Sequence, residues 1–120
     1  MTQLTQIFKT LSDETRLRIL LLLSYEELCV CEISGILEAS QPKISKNLAK
    51  LRDLNLVQDE RRDKFVYYSL KSEHQELLTI LRDITSNLVA HPQLMADKER
   101  LIMKDKFSNI CQIVSEGDLK

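Results

Sequence analysis

The sequence predicts a mainly α-helical fold with one small β-hairpin, and three observations point there. Two Gly and two Pro in 120 residues, with 43% hydrophobic and 29% charged content, suit a helix-rich globular chain rather than a disordered, fibrous or loop-built one. Apolar residues recur at three- and four-residue spacing through most of the chain. One region departs from that spacing. Leu56 to Arg61 and Phe65 to Leu70, rich in β-branched and aromatic residues, flank the charged tip Arg62-Asp63-Lys64, which is the pattern of a hairpin.

Taken in order, Leu4, Ile7, Phe8 and Leu11 mark a first helix, and Ser12-Asp13-Glu14 supplies cap residues for a second built on the apolar run Leu17 to Leu23. After Tyr25-Glu26-Glu27, the residues Val30, Ile33, Ile36 and Leu37 form a short amphipathic helix with Cys29 and Cys31 near its start. Ser40 then caps a further helix with Pro42 in its first turn, running to about Asn55 with Ile44, Leu48, Leu51 and Leu54 inward. Beyond the hairpin, Ser72 with Gln75 forms a capping box for a long helix carrying Leu77, Leu78, Leu81, Ile84 and Leu88. His91-Pro92 breaks it, and a last helix spans roughly Gln93 to Val114 with Leu94, Leu101, Ile102, Phe107 and Ile110 apolar. One domain over 1–120 is expected: residues 4–71 hold the first four helices and the hairpin, 72–114 the two C-terminal helices, and 115–120 a polar tail.

The same numbers exclude several function classes. The longest uninterrupted apolar run, Ile19 to Leu23, falls far short of the roughly 20 residues a membrane helix needs. The polar start MTQLTQ is not a signal peptide, so a cytoplasmic location without membrane association is expected. Three cysteines without a disulfide-framework spacing are expected to be reduced thiols. No phosphate loop and no Cys/His pair of recognisable context argue for an enzyme, and no organic cofactor is indicated.

Net charge is -1, but its distribution is uneven. From Ser40 to Lys64, seven cations (Lys43, Lys46, Lys50, Arg52, Arg61, Arg62, Lys64) face four anions, whereas residues 1–39 carry three cations and six anions. Charge alone favours a merely solvated face. The order of elements says more: a short helix, a turn, a second helix and a basic-tipped hairpin form a device for reading duplex DNA, with the second helix in the major groove and the hairpin on flanking phosphates. Its non-core residues Ser40, Gln41, Lys43, Ser45, Lys46 and Asn47 offer short hydrogen-bonding groups for base edges and cations for phosphates, and Gln41 suits adenine. Arg61, Arg62 and Lys64 would neutralise phosphates, giving salt-dependent affinity without sequence information. The competing expectation is a polar-faced helix in a protein-interaction domain.

In that order, ETRLRILLLL, ELCVCEI, SQPKISKNLAKLRDLNLV and DERRDKFVYYSL resemble the ArsR/SmtB family of metal-responsive repressors over about Leu4 to Leu70. The resemblance implies a homodimeric winged helix-turn-helix that represses detoxification genes until a metal or metalloid binds. It also implies dimerisation through the first and last helices, hence an interface of Leu4, Ile7, Leu11 and the two C-terminal helices, although the sequence suits those stripes equally to an intramolecular core, and an operator that is an imperfect palindrome of double-stranded DNA.

Cys29 and Cys31 in ELCVCE are then the expected effector ligands. On an α-helix, residues i and i+2 lie about 200° apart, so two thiolates sharing one ion require that turn to unwind. Soft thiolates favour As(III), Sb(III), Cd(II), Pb(II) or Zn(II) over Mg and Ca. By the resemblance, arsenic sensors carry a third Cys where this chain has Ser34, and cadmium and lead sensors add N-terminal cysteines, whereas no Cys precedes Cys29 here. Zinc sensors use four Asp and His ligands on the long helix; here only His74 aligns, beside Ser72, Thr85 and Leu88. His74 is expected in an exposed first turn, and His91 as a helix terminator. Cys111 is the remaining candidate third ligand, its alternative being a packing cysteine beside Phe107 and Ile110. Two or three cysteines suit three-coordinate As(III) or Sb(III) better than tetrahedral zinc. Cd, Pb or Zn sensing and a thiol redox switch through Cys111 stay open as alternatives.

Overall fold

The computed structural model describes residues 2–103. Helix α1 (Thr2–Leu11) turns directly into α2 (Glu14–Tyr25), whose N-cap Asp13 accepts the Arg16 amide at 3.0 Å. Ile19, Leu20, Leu21, Leu22 and Leu23 are all buried, so α2 is enclosed on every side at the centre of the molecule. A two-residue strand β1 (Leu28–Cys29) leads into α3 (Val30–Leu37), and α4 (Gln41–Asp53) follows after the Glu38–Ser40 turn. Strands β2 (Val57–Arg62) and β3 (Phe65–Leu70) form the hairpin, and β1 adds to its other side in the antiparallel order β1-β3-β2. Helix α5 (Gln75–Ser86), a 3-10 turn (Leu88–Ala90) and α6 (Pro92–Ile102) complete the described chain. Ile33, Ile36, Ile44, Leu48, Leu51, Leu77 and Leu81 pack with α2 in one core. No helix among the described residues is long and apolar enough to cross a membrane.

The mainly helical class with a small antiparallel sheet is what the sequence predicts, and Ser40 caps α4 by accepting the Lys43 amide at 3.3 Å. Several details differ. Strand β1 is absent from the sequence expectation because two residues are too few to set up an alternating pattern. The hairpin closes on Asp63-Lys64 alone, since Arg62 pairs with Phe65 and Asp63 takes a left-handed φ of 59°. Helix α4 ends at Asp53 in a Schellman arrangement: Asn55, at φ 64°, sends its amide to Arg52 O and Leu56 sends its own to Leu51 O.

The capping box expected from Ser72 does not form. Helix α5 starts at Gln75 behind His74, and the Gln75 side chain donates to the Ser72 carbonyl at 3.3 Å. It stops at Ser86 rather than reaching Leu88, where Thr85 and Ser86 hydroxyls bond back to Arg82 O and Asp83 O and compete with the helical ladder. Of the helix expected over Gln93 to Val114, α6 closes at Ile102, and everything from residue 104 onward, Phe107, Ile110 and Cys111 included, lies outside the described residues.

Candidate effector site and nucleic-acid interface

The two thiols stand at the junction of strand and helix. Cys29 ends β1, paired with Tyr67 of β3, and is also the N-cap of α3 with an extended backbone (φ -93°, ψ 169°). Cys31 is the second residue of the helix. The sequence expectation of two cysteines on one helical turn is corrected here: Cys29 is already outside the helix, so the angular obstacle to a shared ion is removed without unwinding the turn. Glu32 closes the N-terminus reciprocally: its buried carboxylate accepts the Cys29 amide at 3.0 Å, and its own amide faces the Cys29 sulfur.

The sulfurs have different surroundings. Cys29 is buried, and that burial first, with the nearby Glu32 carboxylate and Cys31 adding to it against the Glu32 amide, pushes its thiol up to about 12. Cys31 is half-buried, and Gln41 Nε2 donates to its Sγ at 3.3 Å. Ser34, at the position of the third sulfur implied by the resemblance, donates instead to Ala39 O at 2.5 Å and braces the turn between α3 and α4. No group of three or more His, Cys, Asp or Glu able to hold a metal ion occurs among the described residues, so the described donor set is the two thiols. Soft sulfur at two positions fits a thiophilic centre that completes its shell elsewhere.

The far end of α3 is clamped. Arg100 of α6 donates from Nε to Ile36 O at 2.7 Å and from Nη2 to Gly35 O at 2.6 Å, and it pairs with Glu38 at 3.3 Å, where the backbone is left-handed (φ 55°). Helix α6 is in turn fixed to α2 by the Arg18–Asp97 fork, both bonds 2.8 Å, with Asp97 buried. The Asp97 carboxylate holds the Arg18 guanidinium above its ordinary range.

On α4, Ser40, Gln41, Lys43, Ser45 and Lys46 are exposed and Asn47 is half-buried, its amide turned back to Lys43 O at 2.9 Å. Arg61, Arg62 and Lys64 are exposed at the hairpin end. Arg62 is already engaged: it pairs with Glu27 and with Glu60 (3.1 Å) and lies 5.3 Å over the Tyr67 ring, and the Glu27 contact foremost raises its guanidinium above the usual value. Any phosphate must displace those carboxylates. Arg52 ties the last turn of α4 to Asp59 of β2 at 3.0 Å.

Burial corrects one sequence expectation and decides another. His74 is buried, not exposed: its Nε2 donates to Asn55 O at 2.7 Å, and Gln3 donates to its Nδ1 at 2.8 Å, so the ring ties α1 and α5 to the end of α4. Ile7, for which the sequence leaves a dimer interface and an internal core equally open, lies in this chain's own core, whereas Phe8 is 56% exposed and borders a shallow groove with Leu4, Gln75, Glu76, Thr79 and Ile80. His91 is exposed ahead of Pro92 at the start of α6. Glu27, Glu32 and Arg100 escaped the sequence reading; only Glu32 had a local signal there, being three residues after an N-cap position.

Residues 13–59, which span α2 to β2, match the family model described as bacterial regulatory protein, arsR family. The arsenic resistance transcriptional regulator ArsR2 of Pseudomonas putida is 46% identical over 92 residues, 76% of this chain and 78% of that protein. The chain belongs to the ArsR family. Within it, the arsenic resistance transcriptional regulator ArsR1 of the same organism is 52% identical over 68 residues, 56% of this chain and 53% of that protein, so the shared stretch spans about half of ArsR1. Among solved structures, reduced HlyU from Vibrio cholerae superimposes with a TM-score of 0.64 at 34% identity, covering 69% of this chain and 85% of that one. The family is one of regulatory proteins, not enzymes.

Proposed function

We propose that the protein is a DNA-binding transcriptional repressor that leaves its operator when the Cys29 and Cys31 thiols capture arsenite or antimonite. One observation carries this reading: the two sulfurs flank the N-terminus of α3, and one of them touches α4, the helix offered to DNA. The names of ArsR1 and ArsR2 support arsenic as the effector class. Arsenite at neutral pH is the uncharged As(OH)3. Each thiol proton leaves with one arsenic-bound hydroxyl as water while a sulfur–arsenic bond replaces an oxygen–arsenic bond, with no change of oxidation state. A buried protonated thiol such as Cys29 therefore reacts without depositing net charge beside buried Glu32, whereas a divalent cation must expel protons. The third position on arsenic is taken by Cys111, by a small external thiol or by a retained hydroxyl.

On the DNA side, Ser40, Gln41, Ser45 and Asn47 meet base edges, Lys43 and Lys46 meet phosphates, and Arg61, Arg62 and Lys64 follow the flanking backbone from the wing. The chain acts in the cytoplasm as one winged helix-turn-helix domain and as a twofold dimer on an imperfect palindrome. The exposed Phe8, with Leu4 and Ile80 beside it, supports pairing through α1 and α5.

Operator fluorescence anisotropy under arsenite, antimonite, cadmium, lead, zinc and a mild oxidant tests this. Release by arsenite and antimonite that disappears in Cys29→Ser and Cys31→Ser is expected. Release by cadmium, lead or zinc alone makes it a divalent-cation sensor, release by oxidant alone makes it a redox sensor, and no release by any agent removes the sensing role.

A further inference from the structure

Helix α4 begins at Gln41, and the Gln41 side chain reaches back across the turn to the Cys31 sulfur, Nε2 to Sγ 3.3 Å. We propose that Gln41 is the positioning residue that carries the state of the Cys31 sulfur to the DNA-reading helix, holding the first turn of α4 in its binding pose while that sulfur carries no arsenic and releasing it when the sulfur is captured. The proposal rests on the metalloid-repressor reading and names the side chain through which it acts.

Several neighbouring groups are held by bonds of their own. The C-terminal end of α3 is held by the Arg100 fork on Gly35 O and Ile36 O, and the turn by Ser34 on Ala39 O. Ile36 of α3 and Ile44 of α4 are both fully buried in the same core. Cys29 is locked as well, buried in β1 opposite Tyr67 with its amide on Glu32. When both sulfurs bind one arsenic, the half-buried Cys31 is therefore the one that turns. Moving its χ1 by one staggered well displaces the sulfur by roughly 3 Å, more than a 3.3 Å contact survives. The sulfur–arsenic bond takes the place of the S–H bond, the thiol proton leaving with the displaced hydroxyl as water, so the sulfur keeps its lone pairs but turns them away from Gln41. The Gln41 amide then loses its acceptor at the residue that opens α4, just where Ser40 supplies the cap.

The test separates a relay from a plain DNA contact. Operator affinity is measured with and without arsenite for wild type, Gln41→Ala and Gln41→Leu, and arsenite affinity is measured on the free protein and on the operator complex. Side chains that only touch bases change operator affinity equally in both conditions and leave the ratio at its wild-type value. A relay lowers that ratio, on the order of threefold or more for one lost hydrogen bond per protomer, and raises the arsenite affinity of the operator complex toward that of the free protein. An unchanged ratio in both variants, with wild type released normally, overturns the role of Gln41 and leaves the repressor reading standing; a wild type that is never released overturns both. Should either variant bind operator too weakly for a ratio, the Gln41 side-chain amide resonances of the free wild-type protein decide: they shift on adding arsenite if the contact breaks, and stationary resonances overturn the proposal.

Discussion

The two ends of α4 are built on different principles. At its C-terminal end Leu51 is fully buried, the Schellman arrangement ties Leu56 back to Leu51 O at 3.0 Å, and His74 donates to Asn55 O while Gln3 holds its other ring nitrogen. At its N-terminal end Gln41, Pro42 and Lys43 are exposed; besides buried Ile44 and its amide bond to Ser40 O, the side-chain ties are the Ser40 cap and the Gln41–Cys31 contact, both 3.3 Å. A buried anchor costs kilocalories to disturb and an exposed weak bond does not, so a small chemical event can move the first turn and leave the last one in place. The residues proposed to meet base edges cluster at that less firmly tied end.

Substitutions at the two ends should therefore differ sharply. Leu51→Ala empties a fully buried site at the anchored end and is expected to cost about 2–5 kcal/mol in urea unfolding; a loss below 1 kcal/mol would mean the anchor is not there. His74→Ala removes both ring hydrogen bonds and strands a carbonyl, with an expected loss of about 1–3 kcal/mol. Thermal unfolding of His74→Ala and His74→Gln compares them, since Gln can restore one bond. Gln41→Ala, at the open end, should change stability by no more than about 0.5 kcal/mol. A large stability loss there would show that the start of α4 is as firmly built as its end.

How much of this was legible in the sequence follows the same division. The positions Ile44, Leu48 and Leu51 are spaced so that one helix face buries them together, and they are found fully buried as that spacing requires. Ser40 and Pro42 announce the start of α4 because their conformational preferences are local. Residues whose roles depend on distant partners could not be read this way. His74 is buried by Gln3 and Asn55, far away in the chain; Arg100 finds its carbonyls 64 and 65 residues back; and Glu27 meets Arg62 across 35 residues. Cys29 and Cys31 were visible as a pair, but their unequal settings were not, since β1 exists only because β3 returns beside it.

The central claim is that thiol capture and DNA binding oppose each other through one chain, and linkage offers its most direct test. Arsenite affinity should be measured by calorimetry on the free protein and on its saturated operator complex. Binding on DNA is predicted to be weaker by the same factor by which arsenite weakens operator binding, within the range of about 5- to 150-fold typical of such coupling. Equal arsenite affinity with and without operator would contradict the account.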